Sequence, residues 1–191
     1  IIKISDEPIA HWDDALSLPQ GEVGEICVKG LVVTREYFRR PEETALAKIA
    51  DGDGVWHRIG DVGYMDEQGR LWFCGRKAHR VETARGTLIS VCCEAIYNVL
   101  PHVHRSALVG VGSRPAQTPV IILEPEEGQE TALAASLPSV RAAAKAQVLT
   151  ADIEHILIHP AFPVDVRHNA KINREELARW AAGKLDVAGG H

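Results

Sequence analysis

Two short segments predicted as strands, separated by a strong turn sequence, predict a β-hairpin in the first half of the chain. The segments are Trp56-His57-Arg58-Ile59 and Leu71-Trp72-Phe73-Cys74. The turn between them is Asp66-Glu67-Gln68-Gly69-Arg70, where Gly69 supplies a backbone conformation that other residues avoid. The hairpin constrains the fold of its surroundings, because a two-stranded sheet alone is only marginally stable in water.

The sequence before the hairpin supplies a further strand and one helix. Residues 21–30 alternate, with Glu25, Cys27 and Lys29 predicted on the wetter face of a strand. A helix is predicted from Pro41 to Ile49, because proline near its first position and acids in its first turn favour a helix start. We therefore predict that residues 1–76 are all-β with one helix.

After Arg76 the pattern changes to alternating strands and helices, which predicts an α+β fold with a boundary at Lys77–Ala78. Glu94 is predicted at a helix start, where an acid suits the helix dipole. The last helix is predicted to begin after Asn173 as its N-cap. The predicted strands span residues 81–88 (two strands around a glycine), 106–112, 119–124 and 153–158. The predicted helices span residues 93–100, 131–149 (interrupted at Pro138) and 173–182.

Composition excludes several classes of function. The chain has 191 residues, 46% of them hydrophobic and 25% charged, as in an ordinary globular protein. Its formal net charge of −5 argues against a general nucleic-acid or membrane-surface binder. Its apolar runs are far shorter than a bilayer span. The four cysteines form no C-x-x-C pair, so we expect buried, reduced thiols and a cytoplasmic location.

Two places in the sequence could carry chemistry. Asp61 follows a glycine at a predicted strand end, and its two carboxylate oxygens suit a vicinal diol such as a ribose. Arg76, at the end of the paired strand, could donate to the same sugar or to a phosphate. Lys171 and Arg167 share a polar loop before the last helix and could bind an anion. The alternatives are a turn aspartate, a surface arginine and solvated loop cations.

The string from Trp56 to Arg76 resembles the W-x-x-T-G-D-x-G core and downstream G-R of the adenylate-forming enzymes. These are the acyl-CoA synthetases, luciferases and peptide-synthetase adenylation domains. Residues 21–37 look like the family's G-E-x-G-E segment and its V-x-x-G-Y segment. Glu94 lies in a stretch similar to its E-I-E helix start, and Lys171 matches the lysine of its C-terminal G-K-x-x-R loop. The resemblance runs in order along nearly the whole chain.

The resemblance implies a fold, an activity and roles for individual residues. Residues 1–77 would be the β-rich end of a large AMP-binding N-terminal domain, and residues 78–191 a small mixed α+β lid domain. Asp61 would bind the ribose hydroxyls of ATP, Arg76 would assist at the same sugar, and Lys171 would stabilise the adenylation transition state. Mg²⁺ would be held mainly by phosphates and upstream residues, so no metal ligand is assigned in this chain.

A subgroup of the family shares G-R-K-x-H-R-V, C-E-A-I and R-H-N-x-K-I with this chain. It is the β-lactone synthetase branch of bacterial olefin biosynthesis, which closes a long-chain 3-hydroxy acid to a lactone without CoA. The departures from the wider family are Ile59 in place of threonine, Ala78 at the hinge position and Ala170 in place of the glycine before the lysine. The segment after Arg76 is also one residue longer than usual, so that Arg85-Gly86 corresponds to the family's R-G. These departures affect the second half-reaction more than the first.

Two alternatives remain open. One is a long-chain acyl-CoA synthetase, which would use CoA, or an acyl-AMP ligase. The other is a non-catalytic binding module, since the family's phosphate loop and adenine motif are not in these residues. That absence also predicts that the chain is part of a longer protein and inactive alone. The resemblance implies a small-molecule acyl substrate and names other olefin-biosynthesis enzymes as candidate partners. His155 and His159 are too far apart on a strand to share one metal ion.

Overall fold

The computed structural model describes the backbone of residues 1–165 and 168–188, and the side chains of residues 1–165 and 171–186. Contacts between Cα atoms divide the chain into two compact units, Ile1–Ala78 and His79–His191. Within the described residues, no helix has both the length and the apolar character that crossing a bilayer requires.

The first unit is built around one long strand. Its elements are β1 (Gly24–Val28), α1 (Pro41–Ala47), β2 (Lys48–Asp51), β3 (Gly54–Met65) and β4 (Leu71–Arg76). The strand β3 pairs antiparallel with each of the other three. The predicted hairpin is the β3–β4 pair. Its turn is tied by the Asp66 carboxylate, which accepts hydrogen bonds from the backbone N–H groups of Gln68 and Arg70.

The helix in the first unit is shorter than predicted. It ends at Ala47, and Lys48 begins β2, whose residues pair with β3 from His57 to Gly54. Ile49 is fully buried as a strand residue. The prediction that the helix reaches Ile49 is wrong, because pairing with β3 makes residues 48–51 a strand and buries the Ile49 side chain.

The second unit contains a three-stranded sheet with a helix-containing crossover. Its elements are β5 (Val81–Thr83), β6 (Gly86–Leu88), α2 (Ser90–Asn98), β7 (Val103–Val111), β8 (Thr118–Pro125), α3 (Glu130–Lys145), β9 (His155–Ile158), β10 (Val164–Asp165), β11 (His168–Ile172) and α4 (Arg174–Ala188). The order β7-β8-β9 is antiparallel and then parallel, so α3 lies in the crossover between β8 and β9. The mixed α+β class is confirmed.

Both faces of this sheet are covered, which explains the continuous apolar run in β8. Ile121 and Leu123 face a core shared with α2 and α3. Val120 and Ile122 face a second core that contains Phe162 and two residues of α4, Leu177 and Ala181. Successive strand residues point to opposite faces, so a run without polar residues fits a strand buried on both sides.

Two helix predictions in the second unit are corrected. The helix α3 continues through Pro138. Its buried face, Leu133, Val140 and Ala144, packs into the first core, and this burial outweighs a proline cost of about 3 kcal/mol. The helix α2 begins at Ser90, so Glu94 lies in its second turn and is buried.

Candidate functional site

The β3–β4 hairpin brings Asp61 and Arg76 together, as the sequence analysis predicted for this pair. The two residues are direct cross-strand partners. The Oδ1 atom of Asp61 lies 2.7 Å from Nη1 of Arg76, and the two side chains are 22% and 56% exposed. The second carboxylate oxygen of Asp61 has no hydrogen-bond partner among the described residues. The pair therefore presents an open acceptor beside a solvent-accessible guanidinium.

Asp61 does not lie at a strand end, contrary to the prediction. β3 continues to Met65, because β4 pairs with it from Leu71 to Arg76. The preceding Gly60 has φ of +78°, a conformation that glycine adopts without steric cost. A side chain at Gly60 would also lie 3.8 Å from the Arg76 guanidinium.

A second glycine keeps the two strands in contact beyond the ion pair. A Cβ atom at Gly63 would lie 2.3 Å from the carbonyl oxygen of Trp72, closer than any real contact. The pairing register also shifts between Val62 and Gly63. Glycine at position 63 is therefore required for β3 and β4 to approach each other next to Asp61.

Lys171 lies in the second unit, on β11, and its side chain is exposed. No ion-pair or hydrogen-bond partner of its ammonium is found among the described residues. The next residue, Ile172, packs against the second core, so the strand alternation directs Lys171 away from that core. Arg167, the other predicted loop cation, lies outside the described residues.

Two relatives match this chain over almost its whole length. The olefin β-lactone synthetase of Stenotrophomonas maltophilia (strain K279a) is 53% identical over 191 residues, which covers 97% of this chain and 34% of the relative. The olefin β-lactone synthetase of Xanthomonas campestris pv. campestris is 51% identical over 188 residues, which covers 95% of this chain and 34% of the relative. The chain thus spans about a third of the length of each relative.

Solved structures share the fold. An anthranilate CoA ligase in complex with anthranoyl-AMP superposes with a TM-score of 0.71 at 21% identity, which covers 95% of this chain and 34% of the ligase. The chain is therefore homologous to part of the two synthetases, and it shares the fold of the corresponding part of this CoA ligase. None of the protein-family models compared with the chain matches it.

The β3–β4 hairpin rests on a buried ionic cluster that the sequence pattern did not indicate. Glu25, predicted on a wetter strand face, is fully buried. Its Oε2 lies 2.8 Å from Nη2 of Arg58, and its Oε1 lies 2.8 Å from Nζ of Lys77. Arg58 also donates to the carbonyl oxygens of Glu7 and Ser5. Arg58 precedes Asp61 on β3 and Lys77 follows Arg76, so the cluster anchors both strands that carry the candidate pair.

The prediction that Glu25 lies on the wetter face of β1 is wrong, because the residues that pair with Glu25 are distant from it in the sequence. Alternation in a single strand cannot show that an arginine and a lysine from other segments will neutralise a buried acid. The available signal was the set of charged residues directly flanking the candidate pair, Arg58 and Lys77.

None of the four cysteines forms a disulfide, and the predicted burial is found for two of them. Cys74 and Cys93 are buried, whereas Cys27 and Cys92 are half-buried. Burial is the largest cause that raises the pKa of Cys93 to about 12 and that of Cys27 to about 11. Thiols with pKa values this high hold their protons at neutral pH and are poor nucleophiles or metal ligands.

The described residues contain no group of three or more histidine, cysteine or acidic side chains that could hold a metal ion. His155 begins β9 and His159 follows its end. The His159 ring packs edge-on against Trp180, with ring centroids 4.7 Å apart. This histidine therefore has a packing role in the described part of the chain.

Proposed function

We propose that this chain is the C-terminal third of an ATP-dependent, AMP-forming enzyme that activates a carboxylic acid. The observation that carries the proposal is the Asp61–Arg76 pair, which has one occupied and one open carboxylate oxygen. An exposed pair of this kind contributes only about 0–1 kcal/mol to stability, so stability alone gives little reason for it. The relatives named olefin β-lactone synthetase support the same activity.

Each candidate residue would have a separate role in the first half-reaction. The open oxygen of Asp61 would accept hydrogen bonds from the ribose hydroxyls of ATP, and Arg76 would hold Asp61 and contribute donors at the same sugar. The Lys171 ammonium would stabilise negative charge that develops as the substrate carboxylate attacks the α-phosphorus and pyrophosphate leaves. The product of this first half-reaction is an acyl adenylate.

We propose a long-chain 3-hydroxy acid as the substrate. In the second half-reaction, its own hydroxyl oxygen attacks the acyl carbon, forms the ring C–O bond and expels AMP, while the hydroxyl proton is lost. The net reaction converts the hydroxy acid and ATP into a β-lactone, AMP and pyrophosphate. The two named relatives support this substrate class, and no CoA is consumed.

No Mg²⁺ ligand is assigned in this chain, and the described residues contain no group of three or more histidine, cysteine or acidic side chains that could hold a metal ion. Mg²⁺ is usually held by substrate phosphates together with one or two carboxylates. Any Mg²⁺ in this reaction would be bound mainly by the ATP phosphates and by residues outside this chain.

A long-chain acyl-CoA synthetase or acyl-AMP ligase is the second candidate. The fold shared with an anthranilate CoA ligase favours it. In that reaction a thiol from CoA, rather than the substrate hydroxyl, would attack the acyl adenylate.

The deciding experiment uses the full-length protein that carries this chain. It is incubated with ATP, Mg²⁺ and a long-chain 3-hydroxy acid, with and without CoA, and products are read by mass spectrometry. We expect AMP and a cyclic product that is lighter than the substrate by one water, without CoA. An acyl-CoA that forms only when CoA is added would replace the lactone assignment by the synthetase, and no AMP under either condition would reject both.

The same assay tests the proposed role of Lys171. Because a charge donor at a developing oxyanion is worth about 2.7–4 kcal/mol, we expect Lys171→Ala to slow acyl-adenylate formation by about 10²–10³-fold. Lys184→Ala removes another exposed ammonium of the second unit, on α4, and should leave the rate unchanged. Equal rates for Lys171→Ala and the wild type would remove Lys171 from the mechanism.

A further inference from the structure

The three residues that follow Lys171 are each attached to a different part of the second unit. Ile172 packs against the second core. The backbone N–H of Asn173 donates to the carbonyl oxygen of Pro163, 2.8 Å away, at the base of the β10–β11 hairpin. Arg174 is the first residue of α4 and pairs with Glu94. The exposed ammonium is therefore carried on a strand whose C-terminal end is fixed residue by residue.

The Arg174–Glu94 contact is a two-pronged ion pair between a half-buried arginine and a buried glutamate. Nη1 of Arg174 lies 2.5 Å from Oε1 of Glu94, and Nη2 lies 3.0 Å from Oε2. Glu94 is 6% exposed. Leu108 of β7 completes the arrangement, since its N–H donates to Glu94 Oε1 and its carbonyl oxygen accepts from Arg174 Nη1, at 2.7 and 3.1 Å. A planar guanidinium held at two carboxylate oxygens and one carbonyl has little freedom to shift.

The other strand of the hairpin is also tied to a carboxylate. The N–H of Phe162 donates to Oε1 of Glu124 over 3.1 Å, and Glu124 is held in turn by an ion pair with Arg105. The base of the β10–β11 hairpin is thus attached on both sides to β7 and β8. The Arg174 attachment is the nearer one to Lys171, only three residues along the chain.

We propose that Glu94 and Arg174 are positioning residues for Lys171. Their ion pair fixes the start of α4 against α2 and β7, and so fixes where β11 presents the ammonium. The inference rests on the proposed role of Lys171 in adenylation. Glu94 therefore has a positioning role in addition to any interaction with the helix dipole, because its carboxylate lies in the second turn of α2 and faces α4 and β7.

The test is a double-mutant cycle in the full-length protein. Arg174→Lys keeps the positive charge but loses the two-pronged geometry, so the ammonium of Lys171 should be displaced. We expect about a ten-fold fall in kcat for acyl-adenylate formation, with KM for ATP and acid unchanged, because small misplacement of a catalytic group costs this much or more. In the Lys171→Ala background, Arg174→Lys should cause no further loss.

A merely structural role predicts a different pattern. Loss of folded protein would lower the rate by the same factor with and without Lys171, and that result would overturn the proposal, as would an Arg174→Lys enzyme with wild-type kcat. Arg179→Lys, an exposed arginine on the same helix, should leave the rate unchanged in both backgrounds.

A second variant keeps the test decisive if Arg174→Lys does not fold. Glu94→Gln retains the shape and an acceptor oxygen but removes the charge, and it should reproduce the kcat effect and its disappearance without Lys171. Glu175→Gln, an exposed acid of α4, is its control. Failure of the proposed function is distinguishable, because the wild-type protein would then form no acyl adenylate. A wild-type rate in Lys171→Ala would reject the positioning role together with that of the lysine.

Discussion

Asp61 is the residue whose surroundings are most directly suited to a ligand. One oxygen is held by Arg76 and the other is open, so the carboxylate is oriented but not saturated. Asp61→Asn replaces one acceptor oxygen by a donor and removes the charge. Since a hydrogen bond to a charged group contributes about 1.5–3 kcal/mol, we expect KM for ATP to rise by about 10–100-fold in the full-length protein.

The control for this substitution lies on the same hairpin. Glu67→Gln changes an exposed acid at the turn between β3 and β4, where no ligand role is proposed, and should leave KM for ATP unchanged. A similar KM for the Asp61→Asn variant and the wild type would contradict the ribose assignment.

Residue positions in the candidate pair could be predicted, whereas the buried acids could not. Asp61 and Arg76 flank a turn that fixes the hairpin register, so their proximity follows from local sequence. Glu25 and Glu94 pair with arginines 33 and 80 residues away. Their burial depends on tertiary contacts that neither alternation nor a helix-start pattern contains.

Among the helices and strands, those strands that adjoin a clear turn sequence could be predicted. The sequence did not decide between two structures where a segment has propensity for both. The turn predicted at Asp66–Arg70 is confirmed, and the strands on both sides of it pair. Residues 48–49 could extend α1 or begin β2, and pairing with β3 decides for the strand. Pro138 favours a break in isolation, and packing of α3 against the sheet prevents one.

The β3–β4 hairpin makes a stability prediction at Gly63. An alanine there would place its Cβ 2.3 Å from the backbone oxygen of Trp72, so one strand must move. We expect Gly63→Ala to lower the free energy of unfolding of the first unit by about 1–3 kcal/mol, as overpacked sites do. Urea unfolding followed by tryptophan fluorescence would measure it, because Trp12, Trp56 and Trp72 lie in this unit.

Gly30→Ala is the matched control for that measurement. A Cβ at Gly30 meets no atom within 4 Å, so the free energy of unfolding should change by less than about 1 kcal/mol. Equal unfolding midpoints for the two variants would show that the close approach of β3 and β4 is not required.

The helix α2 makes a prediction about alkaline pH. Burial raises the pKa of Cys93 to about 12 and that of Tyr97 to about 12. In the unfolded chain these groups lose their protons near pH 9 and pH 10, so the folded state binds more protons above those values. Stability is therefore fully present below pH 9 and falls as pH rises towards 12, by up to about 1.4 kcal/mol per pH unit for each group.

Urea unfolding at pH 8 and pH 10.5 would test this fall. Circular dichroism at 222 nm suits the second unit, which contains α2, α3 and α4. Cys93→Ala and Tyr97→Phe each remove one titrating group and should make the loss of stability between the two pH values smaller. A pH dependence identical to that of the wild type in both variants would exclude this cause.

At the scale of the whole molecule, the candidate residues are divided between two units. Asp61 and Arg76 belong to the first and Lys171 to the second. Local sequence patterns predicted the segments that carry these three residues. That the residues act together in one reaction is implied only by the resemblance to adenylate-forming enzymes, and it stays a proposal.

The proposal that the chain is one third of a longer enzyme makes the last prediction. The described residues include a candidate ribose acceptor, Asp61, and an exposed ammonium, Lys171, but the sequence contains no match to the glycine-rich phosphate loop or the adenine motif of the family. We therefore expect the 191-residue chain alone to form no acyl adenylate from ATP and a 3-hydroxy acid, whereas the full-length protein does so under identical conditions. Detectable AMP formation by the chain alone would contradict the proposal that adenylation requires the rest of the longer enzyme. A native polypeptide of about 20.8 kDa would instead favour the non-catalytic binding module, and one two to three times longer, as in the relatives, would exclude it.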